Sequence, residues 1–281
     1  MESSFGVLYI VATPIGNLGD ITQRALKTLQ EVDFIAAEDT RHSQHLLQHF
    51  GIQNQLLSLH DYNETERLSS FLKDLKEGKN IALISDAGTP LISDPGYKLV
   101  EQARKAGIRV VPIPGACAAI AALSAAGLPC ESFIFEGFLP EKTAARKKQL
   151  SLLQDETRTL VFYESPHRVL DMIKDLLETL GSERRVVLAR ELTKTFETFH
   201  QTTLGELPKW LDSDPNQLRG EFVILVEGTI AKKQEGLNAE SERVLKLLLS
   251  ELPLKQAVNL AMKITGEKKN SLYQSALNLV Q

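Results

Sequence analysis

The residues best suited to chemistry follow one apolar run. The run NIALI at positions 80–84 is succeeded by SDAGTPLISDPG at positions 85–96. This loop combines backbone donors and hydroxyls with two carboxylates. A carboxylate can meet an ammonium or sulfonium group of a ligand, while free backbone N–H groups meet a ligand carboxylate. We therefore expect a small zwitterionic ligand to bind to Asp86, and Asp94 to cap the helix that follows Pro95.

Two further glycine-bearing loops follow apolar runs. TPIGNLGD at 13–20 lies between LYIVA and the helical pattern DITQRALKTLQEV. Its glycines would let the backbone approach a ligand, although a plain turn capped by Asp20 explains the sequence nearly as well. PIPGACAAIAAL at 112–123 begins a small-residue helix, and an adenine ring can lie against its backbone near Cys117 and Ala118. Three such loops from one sheet indicate one site.

The elements that must hold these loops are those of an α/β protein. Short apolar runs alternate with amphipathic helical patterns as far as residue 129, which is typical of a parallel sheet covered on both faces. A second, strand-rich α/β unit is expected over 130–229. Its strands should be mixed in direction, because RRVVLAREL and TFETFHQTTL are joined too closely for a helical crossover. After a linker, three helix patterns over 239–281 predict a small helix-turn-helix-like domain.

Composition excludes several classes of protein. The hydrophobic fraction of 43% and the charged fraction of 24% are those of a globular chain. The acidic start MESS and the early Pro14 argue against a signal peptide, and ACAAIAALSAAGLPC is too short to span a bilayer. We expect a cytoplasmic protein with no membrane partner. Cys117 and Cys130 lack metal-ligand spacing, which predicts two buried thiols and no metal site.

Two other classes stay open from the residues alone. Glu38 or Asp39 lies about twenty residues beyond the glycine loop, where a dinucleotide fold keeps its ribose-binding acid. A nicotinamide-dependent oxidoreductase would use Gly16, Gly19 and this acid, although TPIGNLGD lacks the full glycine trio. A helix-turn-helix regulator would rely on 239–281, but KKNSLYQSALNLV offers few basic residues for duplex DNA.

Seven segments together resemble the tetrapyrrole methylase family, and within it the branch that methylates ribosomal RNA. They are VATPIGNLGDIT, AEDTRHS, SDAGTPLISDPG, PGACA, FYESPHR, ARELTKTFE and RGEFVILVEG, in this order from about Leu8 to Gly228. The branch that methylates corrin and porphyrin rings is the alternative, but it carries GDP where this chain has SDAGTP. The resemblance implies S-adenosylmethionine in a cleft between two α/β domains, a homodimer, and methylation of the ribose 2′-oxygen of a decoding-centre cytidine in the 16S ribosomal RNA of the small ribosomal subunit.

The expected site residues follow from these segments. For the cofactor they are Pro14, Gly16, Asp86, Gly88, Thr89, Ile92, Ser93, Cys117, Ala118 and Tyr163. A ribose hydroxyl is a poor nucleophile, so a base or a field that stabilises the developing alkoxide should assist methyl transfer. The candidates for that role are Glu38, Arg41, Glu164, Arg168 and Lys194, and the base is left open among them.

RNA binding has to be reconciled with a net charge of −4, since nucleic-acid binders usually carry a basic face. A few local phosphate contacts are sufficient for electrostatic affinity. PEKTAARKKQL concentrates cations within two helical turns, and a solvated helix surface is the alternative. The expected phosphate ligands are Lys142, Arg146, Lys147 and Lys148.

Overall fold

The computed structural model describes residues 5–60, 63–230, 237 and 239–280. The chain divides into two compact units, Met1–Thr229 and Ile230–Gln281. The larger unit contains two five-stranded sheets, and the smaller unit contains three helices. Most of the expected linker between them lies outside the described residues.

The first sheet is parallel throughout, with the strand order β3-β2-β4-β1-β5. Its buried apolar strands are covered on one face by α3 and α4 and on the other by α1 and α2. This confirms the expected parallel construction. The elements are β1 (Val7–Val11), α1 (Gln23–Glu31), β2 (Phe34–Ala37), α2 (Thr40–His49), β3 (Leu56–Ser58), α3 (Glu64–Lys76), β4 (Ile81–Ile84), α4 (Tyr97–Lys105) and β5 (Arg109–Ile113).

The second sheet has the strand order β6-β7-β10-β8-β9. Only its β6–β7 pair is parallel, and the other pairs are antiparallel, which confirms the expected mixture of directions. One face packs on α6, α7 and α8. The elements are α5 (Ala118–Ala125), β6 (Phe133–Phe138), α6 (Thr143–Leu152), β7 (Thr159–Glu164), α7 (Val169–Leu180), β8 (Arg185–Arg190), β9 (Thr198–Thr203), α8 (Leu207–Ser213) and β10 (Phe222–Val226).

Helix α5 covers the other face of the second sheet. Its Ala119, Ala122 and Leu123 share one buried cluster with Val161 of β7 and Val223 of β10. The small side chains of this helix let it lie close to the sheet. The sequence expectation placed the helix in a first domain ending at residue 129, but its packing partners belong to the second sheet. We therefore call the first sheet with α1–α4 the first half of the unit, and the second sheet with α5–α8 the second half.

The smaller unit consists of α9 (Ala239–Glu251), α10 (Leu254–Thr265) and α11 (Lys269–Val280). Its core contains Leu245, Val258 and Leu272. The three expected helix patterns are confirmed. Among the described helices of the whole chain, none is long and apolar enough to cross a membrane.

Neither Asp20, suggested as a helix cap in one alternative, nor Asp94, expected as one, occupies an N-cap position. Helix α1 is capped by Thr22, whose side chain accepts the N–H of Ala25, and not by Asp20. Helix α4 begins at Tyr97, after Gly96 in a left-handed conformation with φ 117°. The N-cap position of this helix is therefore occupied by Gly96 and not by Asp94. Asp94 lies instead in the loop between β4 and α4.

The expectation of two buried thiols is also wrong. Cys130 is exposed and Cys117 is partly buried, and both are free. Cys130 lies in the connection between α5 and β6, where its apolar neighbours in sequence do not enclose it.

Arg146 is buried, although the sequence led us to expect a surface cation that binds phosphate. It is 2% exposed, and its Nε donates to Asp175 Oδ2 at 2.6 Å. Its Nη1 also donates to the carbonyl of Glu141 at 3.1 Å. A guanidinium held in this way is not available to RNA phosphate. Of the three lysines expected to act with it, Lys142 and Lys148 are exposed, whereas Lys147 pairs with Asp175 and Glu178.

Removing this buried arginine should destabilise the larger unit. Arg146→Leu leaves Asp175 buried without its closest partner, so we expect the free energy of unfolding in urea to fall by about 3–5 kcal/mol. The control Lys148→Ala removes an exposed cation of the same helix and should change it by about 0.5 kcal/mol at most. Equal losses in the two variants would show that the Arg146–Asp175 pair does not support the fold.

Candidate active site

A cleft of about 460 Å³ lies between the two halves of the larger unit. From the first half, the loops after β1, β2, β4 and β5 contribute Ile15, Glu38, Asp86, Ala87, Gly88, Thr89, Ile92, Ser93, Asp94 and Cys117. From the second half come Ala118, Phe138, Tyr163, Glu164, Ser165, Pro166, Leu192, Glu221, Phe222 and Val223. Because β10 is antiparallel to β7 and β8, its amino end lies at the same sheet edge as their carboxyl ends.

The loops of the first half are bonded to one another. Thr13 and Gly88 exchange backbone hydrogen bonds of 2.8 and 3.1 Å, which join the loops after β1 and β4. Thr89 Oγ1 donates to the carbonyl of Ala116 at 2.9 Å, which joins the loops after β4 and β5. The three loops that the sequence singled out therefore form one rim of the cleft.

The expected cofactor residues line this cleft with two exceptions. Those that line it are Asp86, Gly88, Thr89, Ile92, Ser93, Cys117, Ala118 and Tyr163. Pro14 and Gly16 do not line it, whereas Ile15 between them does. A Cβ at Gly16 would lie 2.5 Å from Cγ of Lys194. This glycine therefore permits a close contact between the two halves.

The five candidates for catalysis are divided by their positions. Glu38 and Glu164 line the cleft, and the other three do not. Arg41 is outermost, with a side chain that is 90% exposed and lies 3.5 Å from Asp39. Arg168 donates to the carbonyl of Leu139 at 2.6 Å. Arg168 does not line the cleft itself, but it forms an ion pair with Glu164, which does.

Glu164 is a fully buried carboxylate. Its side chain is 0% exposed, and its Oε2 lies 3.3 Å from Nη2 of Arg168. Its Oε1 accepts the N–H of Ser165 at 2.8 Å. The arginine balances a charge that would otherwise be costly to bury.

Lys194 belongs to an ion cluster at the edge of the cleft. Its Nζ lies 2.8 Å from Glu191 Oε1 and 3.0 Å from Glu221 Oε2, and the N–H of Glu221 donates to Glu191 Oε1. Burial disfavours the charge of Glu191, but hydrogen bonds from Lys194 and Glu221 outweigh it and lower the pKa of this carboxyl. Burial likewise opposes the charge of Lys194, but its hydrogen bonds to both carboxylates raise its pKa. Lys194 is thus a cation, and not a free amine base.

Tyr163 is held as a neutral phenol. Burial raises the pKa of its hydroxyl above the ordinary value, and the nearby thiol of Cys117 adds to the effect. The hydroxyl accepts the N–H of Ala119 at 3.0 Å. Tyr163 therefore acts as a fixed wall of the cleft and not as a base.

Comparison with known proteins decides the family. Residues 7–208 match the family model described as Tetrapyrrole (Corrin/Porphyrin) Methylases. The chain belongs to the tetrapyrrole methylase family. Residues 235–279 of this methylase match the model described as the RsmI C-terminal HTH domain, in agreement with the helical unit.

Similar proteins carry a more specific name. Ribosomal RNA small subunit methyltransferase I of Pseudomonas aeruginosa is 59% identical over 98% of this chain and 98% of its own length. The protein of the same name from Escherichia coli O157:H7 is 59% identical over 98% of this chain and 96% of its own length. The chain is accordingly a methyltransferase, and these comparisons give no support to the nicotinamide-dependent oxidoreductase that the sequence left open.

Solved structures agree at the level of fold. Uroporphyrin-III-C-methyltransferase from Thermus thermophilus has a TM-score of 0.56 at 21% identity, covering 79% of this chain and 94% of its own. The methyltransferase CobJ has a TM-score of 0.59 at 20% identity, covering 80% and 95%. The two-sheet architecture of the tetrapyrrole methylases is thereby confirmed.

Sequence reasoning missed most of the second half's contribution to this methylase cleft. Phe138, Leu192, Glu221, Phe222 and Val223 line it without having been singled out. The motif RGEFVILVEG was recognised, but no site residue was chosen from it. The missing information was the strand order, because only the antiparallel placement of β10 brings Glu221 to the same edge as the end of β7.

The ion cluster should make a pH-dependent contribution to stability. The pKa of Glu191 is lower in the folded protein than its usual value of about 4.3. Its stabilising effect is therefore fully present above that value and is lost as the pH falls through the lowered folded pKa. At pH 7 we expect Glu191→Gln to cost about 1–3 kcal/mol in urea unfolding, and the difference from the parent to shrink below about pH 4.

Glu31→Gln is a matched control, because Glu31 forms an exposed pair with Lys27 at 3.7 Å. It should change stability by less than about 1 kcal/mol at either pH. A Glu191→Gln cost that stays constant from pH 7 down to about pH 3 would refute a role for the ionised carboxylate.

Proposed function

We propose that the protein transfers a methyl group from S-adenosylmethionine to the ribose 2′-oxygen of a decoding-centre cytidine in the 16S ribosomal RNA of the small ribosomal subunit. The observation that carries this proposal is the cleft in which glycine-bearing, acidic loops of the first half face a carboxylate-rich edge of the second. The names of the similar proteins favour ribosomal RNA over a corrin or porphyrin ring as substrate.

The side chains of the cleft fit a zwitterionic sulfonium cofactor. Asp86 offers a carboxylate to an ammonium or sulfonium group, and its Oδ1 is oriented by the N–H of Asp39 at 3.0 Å. Cys117 and Ala118 offer a half-buried surface to an adenine ring. When bound, the cofactor supplies an electrophilic methyl group. Residues from both halves then hold the reacting atoms in line, which supplies much of the rate.

Exposure distinguishes the two carboxylates that could accept the ribose proton. Glu164 is fully buried and faces Arg168, so a substrate hydroxyl would have to displace its surroundings to reach it. Glu38 follows β2 and is half-buried on the cleft wall. We assign proton acceptance to Glu38. Arg168 then positions Glu164, and Lys194 positions Glu221 at the cleft edge.

The RNA is proposed to bind through exposed cations outside the cleft. Lys142 and Lys148 are exposed on and beside α6 and form no ion pair among the described residues. Arg41 lies just beyond Glu38, and its 90% exposed side chain suits a phosphate better than the reacting atoms. Lys147 is partly neutralised by Glu178 and contributes less. Three such local cations are compatible with a net charge of −4.

The family resemblance also supports a homodimer that acts in the cytoplasm, where its ribosomal substrate is found. No membrane partner is proposed.

Binding of S-adenosylhomocysteine should identify the cofactor. A ligand that binds the native state raises the thermal midpoint, so we expect S-adenosylhomocysteine to raise it and NAD to leave it unchanged.

Asp86→Asn should weaken S-adenosylhomocysteine binding in calorimetry by about 1–3 kcal/mol, because a charge-assisted contact is lost. Asp20→Asn, outside the cleft lining, should bind like the parent. Saturable NAD binding without S-adenosylhomocysteine binding would contradict the cofactor assignment.

Methyl transfer should be measured with tritiated S-adenosylmethionine on small ribosomal subunits from a strain that lacks the protein. We expect the parent to label one ribose of the 16S RNA.

Glu38→Gln should lower kcat by about 10²–10⁴-fold while leaving S-adenosylhomocysteine affinity unchanged, as expected for a proton acceptor. The control Glu31→Gln should retain the parent's rate. Full activity of Glu38→Gln would reject the assignment of the base, and an unlabelled subunit with the parent would reject the substrate.

A further inference from the structure

Phe138 brings an exposed aromatic ring into the cleft because β6 contains a bulge. Phe138 is 54% exposed although it is the last residue of a strand. The register of β6 on β7 shifts between Phe135 and Gly137. In a regular strand, Phe135 and Phe138 would point to opposite faces of the sheet. The extra residue turns both rings towards the face that carries Tyr163.

The ring of Phe138 is held from one side. Its centroid lies 5.6 Å from that of Tyr163 at an interplanar angle of 65°. Tyr163 is itself fixed by Phe135, at 4.9 Å and 72°, and by the N–H of Ala119. Edge-to-face contacts of this kind are favourable for aromatic rings. Phe138 is thus held in place by its neighbours while more than half of its surface stays open.

Ile92 faces the same region from the first half. It lines the cleft and is 39% exposed. Its neighbours Leu91 and Ser93 are both left-handed, with φ of 72° and 70°, a conformation that is costly without glycine. A Cβ at Gly137 would lie 2.8 Å from Oγ of Ser93. Ile92 and Phe138 each adjoin a residue of this close contact, and both line the cleft.

We propose that Phe138 and Ile92 form the binding site for the nucleobase of the nucleotide that is methylated, which reassigns Ile92 from the cofactor residues expected from the sequence. This inference rests on the proposed function. A ribose that enters the cleft carries its base with it, and that base has left its stack in the RNA. An aromatic side chain replaces the lost stacking for any base, and an apolar side chain beside it covers more of the ring.

The exposure of these side chains favours the substrate's base over the adenine of the cofactor. Cys117 and Ala118, the surface proposed for adenine, are half-buried. Phe138 and Ile92 are the more exposed large apolar side chains of the cleft lining, and a base from a macromolecule arrives from solvent. The carboxylate Glu38 lines the same cleft, where a ribose attached to that base would need it.

Kinetics of Phe138 variants on small ribosomal subunits test this site. Base stacking on an aromatic side chain corresponds to a loss of about 5- to 150-fold on alanine substitution. We expect Phe138→Ala to lower kcat/KM by that factor, mainly through KM, and to leave the calorimetric affinity for S-adenosylhomocysteine unchanged. Phe138→Tyr keeps a planar ring and should restore kcat/KM. Phe138→Leu keeps apolar bulk without a ring and should stay low, with the parent's thermal midpoint as evidence of folding.

Phe196→Ala is the matched control, because Phe196 is 71% exposed and does not line the cleft. It should retain the parent's kcat/KM. Parent-like kinetics of both Phe138→Ala and Phe138→Leu would overturn the proposal. An equal loss of S-adenosylhomocysteine affinity would also overturn it, since the ring would then contact the cofactor's adenine. If the proposed function itself is wrong, the parent protein will methylate no subunit, and this outcome is distinct from those of the Phe138 variants.

Discussion

The site depends on how closely the two sheets approach each other. Two close contacts lie between the halves, and each joins a glycine of one half to a left-handed loop of the other. Gly137 of β6 lies against Ser93, where an added Cβ would come within 2.8 Å, and Gly16 lies against Lys194, where the distance would be 2.5 Å. The only non-glycine residues with positive φ in the described part of the chain are Leu91, Ser93, Glu191 and Thr193, and they all belong to these two loops. Such backbone strain persists only where the surrounding structure imposes it.

The two contacts between the halves also shape the cleft and its edge. In each left-handed loop the middle residue, Ile92 or Leu192, lines the cleft, so the backbone that joins the halves also shapes the cavity. The ion cluster of Lys194 is assembled at the second contact and places Glu221 at the edge. Glu164 is buried in the wall beside Arg168, whereas Glu38, which we propose as the proton acceptor, is only half-buried. The proposed division of roles between these carboxylates follows their degree of burial.

Sequence alone predicted the first half better than the second. Its site loops follow parallel strands, and a strand end can be read from a local pattern such as NIALISDAG. The direction of Phe138 was not predictable in this way, because it depends on a bulge one residue long. Arg146 was misassigned for a related reason, since a basic run does not show which cation turns towards a buried acid on another helix. Gly16 was expected to contact the cofactor, but it lies against Lys194, which is 178 residues away and beyond any local pattern.

A crystal structure of the protein with S-adenosylhomocysteine would test the central claim, that the two halves build a single cofactor and substrate site. The account predicts density for the ligand between the halves, with Asp86 and the backbone near Cys117 in contact with it, Tyr163 behind it and the ring of Phe138 still open to solvent. A ligand that touches only one half, or one that stacks its adenine on Phe138, would contradict the account.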